Sequence, residues 1–386
     1  MEEWDTALAR GGEMEFFATA AKGVEEVLAG ELRELGLAVA AVESGGVRFT
    51  GEIVDCWRAN LWLRTANRVL MPLAAFPCTT PQELYDVVRA IPWSSHLTPE
   101  MTLAVDCSLR NSAITHSGFV ALKTKDAIVD EIRDRCGRRP NVDTRDPDLR
   151  VNIHLVKDRC TVSLDSSGTP LDRRGYRLER TEAPLRETLA AALVELSGWD
   201  GAVPLADPMC GSGTILIEAA LKASRRAPGL LRPGFGFQRW PGFDPSLWAR
   251  LVAEAWAVAL PSLPAPLLGC DRSAPALAIA RQNARRAGVE GMLTLSQRQI
   301  SDFTPPPDPG VLLFNPPYGE RLGEEEELKP LYRLIGDVMK QRCTGYTAYL
   351  LTGSQGLAKC VGLKASRRFV LFNGPIECRL LKYELY

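Results

Sequence analysis

The sequence is short of the residues that announce several common chemistries. It has three histidines, His96, His116 and His154, and none lies in the last 232 residues. A Ser-His or Cys-His nucleophilic site in the C-terminal half is thereby excluded. The ten cysteines stand apart, with no CxxC or CxxH spacing; this argues against a zinc site and against a disulfide scaffold. A reducing, cytoplasmic setting is the expectation. No apolar run approaches the ~20 residues of a membrane-spanning helix. Met1, Glu2 and Glu3 carry acid where a secretory signal carries base. An excess of either charge is missing too: 46 basic and 47 acidic side chains leave a net −1. Any surface for nucleic acid must therefore be a local patch. Lysine is scarce, at 10 against 36 arginines. Arginine suits bidentate phosphate recognition and stacking on bases, although a GC-rich coding sequence produces the same bias.

What is present is ordinary for a folded chain: 46% hydrophobic and 24% charged residues, which excludes extensive disorder. At 386 residues the chain exceeds the ~250–300 at which a single core stops growing, so two or three domains are expected. Residues 13–76 alternate strand and helix patterns in the order β-α-β-β-α-β, that of a small ferredoxin-like unit. Pro72, Pro77 and Pro81 then mark a boundary. An α+β segment follows over 77–167, with strands at Val151–Val156 and Thr161–Leu164 turning at Lys157-Asp158. Residues 168–184 read as an arginine-rich linker. From 185 to 386 apolar strands alternate with helices, the pattern of an α/β sandwich with a mainly parallel, Rossmann-like sheet. Its strands are predicted at Val203–Ala206, Leu267–Cys270, Val311–Phe314 and Ala348–Thr352. The acidic run Glu324–Glu327 reads as a solvated loop.

The first segment that carries chemistry is Asp207-Pro208-Met209-Cys210-Gly211-Ser212-Gly213-Thr214. It follows an apolar strand and opens a helix, where open α/β sheets bind ligands. Leu216 stands where a dinucleotide fingerprint needs glycine, and Gly213 is followed by threonine rather than the lysine of a P-loop. A strand-end acid with G-S-G suits a ligand with an ammonium group and no pyrophosphate, such as S-adenosylmethionine. Cys210 belongs to this loop, but nothing beside it suggests an activated thiolate. Asp271 closes the strand Leu267–Cys270, where a carboxylate can accept ribose hydroxyls or cap the following helix. It lies 64 residues after Asp207, far beyond the usual ~20, so residues 224–265 look like an insertion. Asp302, after a strand at Met292–Gln297, is placed to take an adenine amino group.

Asn315-Pro316-Pro317-Tyr318 follows the strand Val311–Phe314 directly. The prolines stiffen the turn and remove two backbone donors, so nearby carbonyls meet no local N–H. The Asn315 side-chain oxygen and the Pro316 carbonyl can then accept from an exocyclic amine and aim its lone pair at an incoming methyl group. Tyr318 offers a face for the base, worth ~1–3 kcal/mol by stacking.

NPPY after a strand, downstream of D-P-x-C-G-S-G-T, resembles the class I methyltransferases that act on planar amines. Further residues sharpen the likeness: 168–177 (Gly-Thr-Pro-Leu-Asp-Arg-Arg-Gly-Tyr-Arg), 183–191 (Ala-Pro-Leu-Arg-Glu-Thr-Leu-Ala-Ala), 239–244 (Arg-Trp-Pro-Gly-Phe-Asp) and 315–323, which ends Gly-Glu-Arg-Leu-Gly. With these the chain resembles the THUMP-domain RNA guanine-N2 methyltransferases of the bacterial 23S rRNA type. That resemblance implies a ferredoxin-like unit packed with a THUMP RNA-binding domain at 77–167 and a Rossmann-like catalytic domain at 185–386. It implies S-adenosylmethionine as cofactor and RNA as partner; no metal and no membrane are expected, and the oligomeric state is left open, with a monomer favoured. Larger members carry a second methyltransferase domain. Arg173, Arg174 and Arg177 either track RNA phosphate or tie the linker to its neighbours; both readings stand. The rivals are a tRNA guanine-N2, a DNA adenine-N6 and a protein-glutamine methyltransferase, and a non-enzymatic RNA-binding scaffold. Substrate choice is expected to rest with residues 13–167 and the linker.

Overall fold

The computed structural model describes residues 12–177, 185–307, 309–319 and 324–386. The linker residues 178–184, with Ala183 and Pro184, and the stretch Glu320–Gly323 lie outside them. The first unit runs β1 (Met14–Thr19), α1 (Glu25–Glu34), β2 (Ala38–Glu43), β3 (Gly46–Gly51), α2 (Ile53–Trp62) and β4 (Arg68–Pro77), the predicted ferredoxin-like order. Next come α3 (Pro81–Ala90), β5 (Thr102–Arg110), α4 (Ser117–Cys136), β6 (Asn141–Val142), β7 (Leu149–Val156) and β8 (Arg159–Asp165). Lys157 and Asp158 both take positive φ, 51° and 59°, as a two-residue hairpin of the primed type requires.

The proline boundary does not break the sheet. β4 pairs with β1 on one side and with β8 on the other, giving eight strands in the order β2-β3-β1-β4-β8-β7-β5-β6. The pairing of β4 with β8 shifts register between Pro72 and Ala74, and Pro77 stands at the strand end. A residue without an N–H is tolerated at such places, so these prolines punctuate a continuous layer.

The second half holds α5 (Glu187–Ser197), β9 (Leu205–Asp207), α6 (Thr214–Ala223), α7 (Pro245–Ala257), β10 (Leu267–Asp271), α8 (Ala274–Arg286), β11 (Leu293–Gln297) and β12 (Val311–Phe314). After these come α9 (Glu324–Arg342), β13 (Thr347–Thr352), α10 (Gln355–Cys360), β14 (Arg367–Asn373) and β15 (Ile376–Glu384). Seven strands lie in the order β11-β10-β9-β12-β13-β15-β14. The first five are parallel, and β15 runs antiparallel to β13 and β14. β9 and β12, at the centre, are buried at every residue. The acidic run is not a loop: it opens α9, where carboxylates are favoured by the helix dipole. Among the described residues no helix is long and apolar enough to cross a membrane.

The insertion joins the two halves. Phe235, Phe237 and Leu251 are buried in the N-terminal core. The Phe237 ring stacks on Trp57 at 5.4 Å between centroids, and Phe243 meets the same indole edge-on at 5.2 Å. Arg232 donates to the carbonyls of Thr169 (2.7 Å), Pro170 (2.8 Å), Arg173 (2.9 Å) and Ser167 (3.4 Å). Arg64, from the first unit, donates to the carbonyls of Arg226 and Leu221.

Candidate active site

β9 ends at Asp207, and the chain then turns over the ends of its neighbours. Cys210 N–H donates to the Cys270 carbonyl (2.8 Å), and Gly211 N–H to Asp271 Oδ2 (2.9 Å). Gly211 (φ +52°) and Gly213 (φ +80°) take the left-handed conformation that side chains resist. At Gly213, the N-cap of α6, an added Cβ would lie 3.1 Å from the Ala280 Cβ; at Gly211 it would meet nothing within 4 Å. The first glycine lets the helices pack, and the second leaves room above the loop. Asn283, 3% exposed on α8, donates to the Ser212 carbonyl (3.1 Å) and fixes the loop from below. Sequence reasoning missed Asn283, because nothing local marks a polar residue on a helix as inward-facing. The Cys210 thiol is buried beneath the loop, and burial pushes its pKa well up, the opposite of an activated nucleophile.

Asp207 is 2% exposed and accepts from Met209 N–H (3.0 Å). Burial, with a smaller push from Asp271, raises its carboxyl pKa to about 8. Asp271 accepts from Gly211 N–H and from Ser273 N–H (2.8 Å). It does not cap α8; Ser273 does, accepting from Ala276 N–H. Each Asp271 oxygen keeps lone-pair capacity for a further donor. Asp302 is exposed in the 3₁₀ turn after β11, beside the Ser301 hydroxyl (3.2 Å).

Asn315 leaves the end of β12, and its Oδ1 is buried without a hydrogen-bond partner among the described residues. Pro316 is buried and Pro317 exposed. Tyr318 is not the open stacking face expected of it. It is 9% exposed, its hydroxyl accepts from Asn373 Nδ2 (2.9 Å), and its ring lies against Gly353, where an added Cβ would stand 2.9 Å from the ring. Asn373 on β14 and Gly353 after β13 make it part of the wall.

Strand register brings these groups together. Gly269 is opposite Asp207, and Leu312 opposite Ala206. Asp207, Asp271 and Asn315 therefore emerge at one edge of the sheet, around the strand where the chain order reverses, the usual ligand crevice of such sheets. Two linker arginines are tied to the protein itself, one buried and one half-buried against Thr214 of the loop. Arg174 is 1% exposed; it donates to the Leu171 and Arg64 carbonyls and pairs with Glu218 at 3.6 Å. Arg177 donates to the Leu185 carbonyl and Thr214 Oγ1 and pairs with Glu187. At 1% exposure the Arg174 guanidinium is out of reach of a phosphate, so the phosphate-tracking reading of Arg174 fails, and Arg177 is a tie. Arg173 alone is exposed.

Known families divide the chain in the same way. Residues 15–70 match the RlmL ferredoxin-like domain and residues 78–165 the THUMP domain. Residues 174–382, more than half of the chain, match the family described as RMKL-like, methyltransferase domain. The chain belongs to the RMKL-like methyltransferases. A Synechocystis protein, named provisionally as an RNA methyltransferase, is 44% identical over 99% of this chain and 100% of its own. The ribosomal RNA large subunit methyltransferase K/L of Syntrophotalea carbinolica is 45% identical over 96% of this chain, which spans about half (54%) of that protein's length. Among solved structures, a provisionally assigned methyltransferase in complex with SAH is 34% identical with a TM-score of 0.88, covering 97% of this chain and 98% of that one. A Listeria monocytogenes protein described as a predicted N6-adenine-specific DNA methylase is 35% identical with a TM-score of 0.87, covering 97% of both chains.

The crevice of this RMKL-like methyltransferase fits S-adenosylmethionine. The space over Gly211 admits a ligand, Asp207 suits its ammonium group, and Asp271 its ribose hydroxyls. Three expected results follow. Calorimetry on Asp271→Ala should show cofactor binding weaker by ~1–3 kcal/mol, the cost of losing a charged acceptor; unchanged affinity would misplace the ribose. Near neutral pH, binding should release a proton, because a cation beside Asp207 pulls down a carboxyl that the ligand-free protein keeps protonated up to about pH 8. The sign extends to stability: the folded state holds this proton more tightly than the unfolded chain, so the contribution falls as pH rises from about 4 to about 8. Glu31 and Glu187, both raised to about 7 by burial, act in the same direction. The melting midpoint of the ligand-free protein should therefore drop between about pH 6 and about pH 8.5, with Asp207→Asn dropping less. A flat profile would contradict the buried proton.

Proposed function

We propose that the chain transfers a methyl group from S-adenosylmethionine to N2 of a guanine in RNA, with large-subunit ribosomal RNA as the substrate. The observation that carries this reading is the buried Asn315 Oδ1, without a partner among the described residues, beside the cofactor crevice. A buried acceptor left unpaired is costly, and one beside two prolines suits a donor brought by substrate. An exocyclic amine is such a donor.

When bound, the cofactor supplies an electrophilic methyl group. The chain's task is then mostly positioning. Asp207 and Asp271 hold the donor's ammonium and ribose, and Asp302 is assigned to its adenine amino group. The target guanine must leave its stack to enter. Asn315 Oδ1 and the Pro316 carbonyl accept from its two N–H bonds, which turns the nitrogen lone pair away from the ring and toward the methyl group. Pro316 and Pro317 keep competing donors away. Tyr318, fixed by Asn373, gives the slot its wall; stacking on it requires only its inner face. After transfer the surplus proton on N2 leaves to water past these two oxygens, so no general base is needed.

The ribosomal RNA assignment is supported by the names of the K/L relatives, and the THUMP match supports RNA over DNA. The second reading, adenine N6 of DNA, is favoured by the description of the Listeria protein and by the fact that the same loop chemistry serves that amine. Tritiated methyl donor offered with ribosomal RNA, transfer RNA and DNA, followed by nucleoside analysis, separates them. We expect N2-methylguanosine from 23S rRNA; label in N6-methyladenine of DNA would overturn the reading.

A further inference from the structure

Between the eight-stranded sheet, the linker and the insertion lies a groove of about 660 Å³. Its walls carry five arginines, Arg68, Arg145, Arg150, Arg173 and Arg239, against a single carboxylate, that of Asp146. These residues come from β4, the segment leading into β7, β7 itself, the linker and the insertion, which only folding assembles.

Three of the five are anchored. Arg68 is held by Asp165 and the Gly168 carbonyl, Arg150 by Asp106 (2.9 Å) and the Thr144 carbonyl, and Arg239 by Asp146 (2.8 Å) and the Pro147 carbonyl. Arg145 and Arg173 are exposed. Arg145 lies in the field of Asp143, and among the described residues neither Arg145 nor Arg173 forms an ion pair. Each anchored guanidinium is balanced by its own carboxylate, so the charge open to a ligand is that of the two remaining guanidinium forks. Such forks match phosphate oxygens in pairs.

We propose that this groove holds the phosphate backbone of the RNA substrate, with Arg145 and Arg173 in direct phosphate contact. The proposal rests on the RNA reading above. Its walls belong to the THUMP-matching segment on one side and to the methyltransferase insertion on the other, so a strand lying here is gripped by both halves at once. That location commits the groove to a polymer that reaches from one half to the other, with inorganic phosphate as the competing source of the same chemistry.

The test uses the full chain carrying Arg145→Glu with Arg173→Glu, and Arg286→Glu, on the exposed end of α8, as the control. Fluorescence anisotropy follows binding to a 23S rRNA fragment across a salt series. At about 0.1 M salt the double variant should bind at least ~10-fold more weakly, and its log–log salt slope should be shallower by about 1.4, or ~0.7 per lost contact on a single strand. Turnover at saturating RNA, cofactor affinity and melting midpoint should match wild type, with the loss confined to kcat/KM. A double variant that binds like wild type overturns the groove while wild-type methylation of RNA leaves the functional reading standing. Inorganic phosphate that displaces the RNA at constant ionic strength, with an unchanged salt slope in the variant, reduces the groove to a small-anion site and also overturns it. Wild-type protein that neither binds nor methylates RNA removes both.

Discussion

Asn315→Ala should reduce turnover at least ~100-fold while leaving the fold and cofactor affinity close to wild type. One preorganised hydrogen bond to the reacting group is worth about 3 kcal/mol when it is stronger in the transition state than in the ground state. Here the bond orients a lone pair, and the demand on it grows as the nitrogen pyramidalises and takes positive charge. Loss of the Oδ1 breaks no native hydrogen bond, because it has no partner among the described residues. Removing an unpaired acceptor should leave the melting midpoint unchanged or slightly higher. Asn315→Asp keeps an acceptor at the same place and should retain more of the rate than Asn315→Ala. Single-turnover methylation, with calorimetry of cofactor binding alongside, measures both. Near-normal turnover in Asn315→Ala would mean that the segment is a structural turn.

The largest expected loss of stability is at Arg232, far from the reacting atoms. Arg232→Met keeps the apolar stem and removes a guanidinium that serves four main-chain carbonyls of residues 167–173. Buried carbonyls left without donors cost ~1–3 kcal/mol each. Part of that is offset, because burial and the neighbouring Arg174 already lower the Arg232 pKa to about 10. Only the Ser167 contact is fully buried, and the Pro170 carbonyl keeps the Arg173 N–H, so a net loss of about 2 kcal/mol is expected in urea denaturation. A loss under about 1 kcal/mol would mean that water satisfies these carbonyls as well as arginine does. Cofactor affinity near the melting-free range should change little, since the loop at 207–214 does not touch Arg232.

Local signals were legible in the sequence, and long-range consequences were not. β12 begins and ends where the pattern places it, and a local signal also sets the start of α3. For α3 the reason is visible: Thr80 and Glu83 form a capping box around Pro81. The strand-end acids and NPPY were legible because backbone geometry puts strand termini at a common edge whatever the packing. The hairpin of β14 and β15 carried its own signal, Asn373-Gly374 between apolar runs, but went unread. The α9 helix hid behind four acids that resemble solvated loop. The fates of Arg174 and Tyr318 could not be read locally. One is buried by Arg64 and Glu218, the other by Gly353 and Asn373, and those partners lie tens of residues away.

The insertion has a consequence for how the chain comes off the ribosome. The N-terminal sheet closes at Asp165, yet the socket around Trp57 is filled by Phe235, Phe237 and Leu251, which are synthesised much later. At ~5–20 residues per second, the nascent unit holds an open apolar socket for roughly five to fifteen seconds before its plug emerges. During that interval the half-made protein presents a sticky surface that the finished one never shows. The order of synthesis thus leaves the docking of residues 235–251 as a late step in completing the N-terminal core.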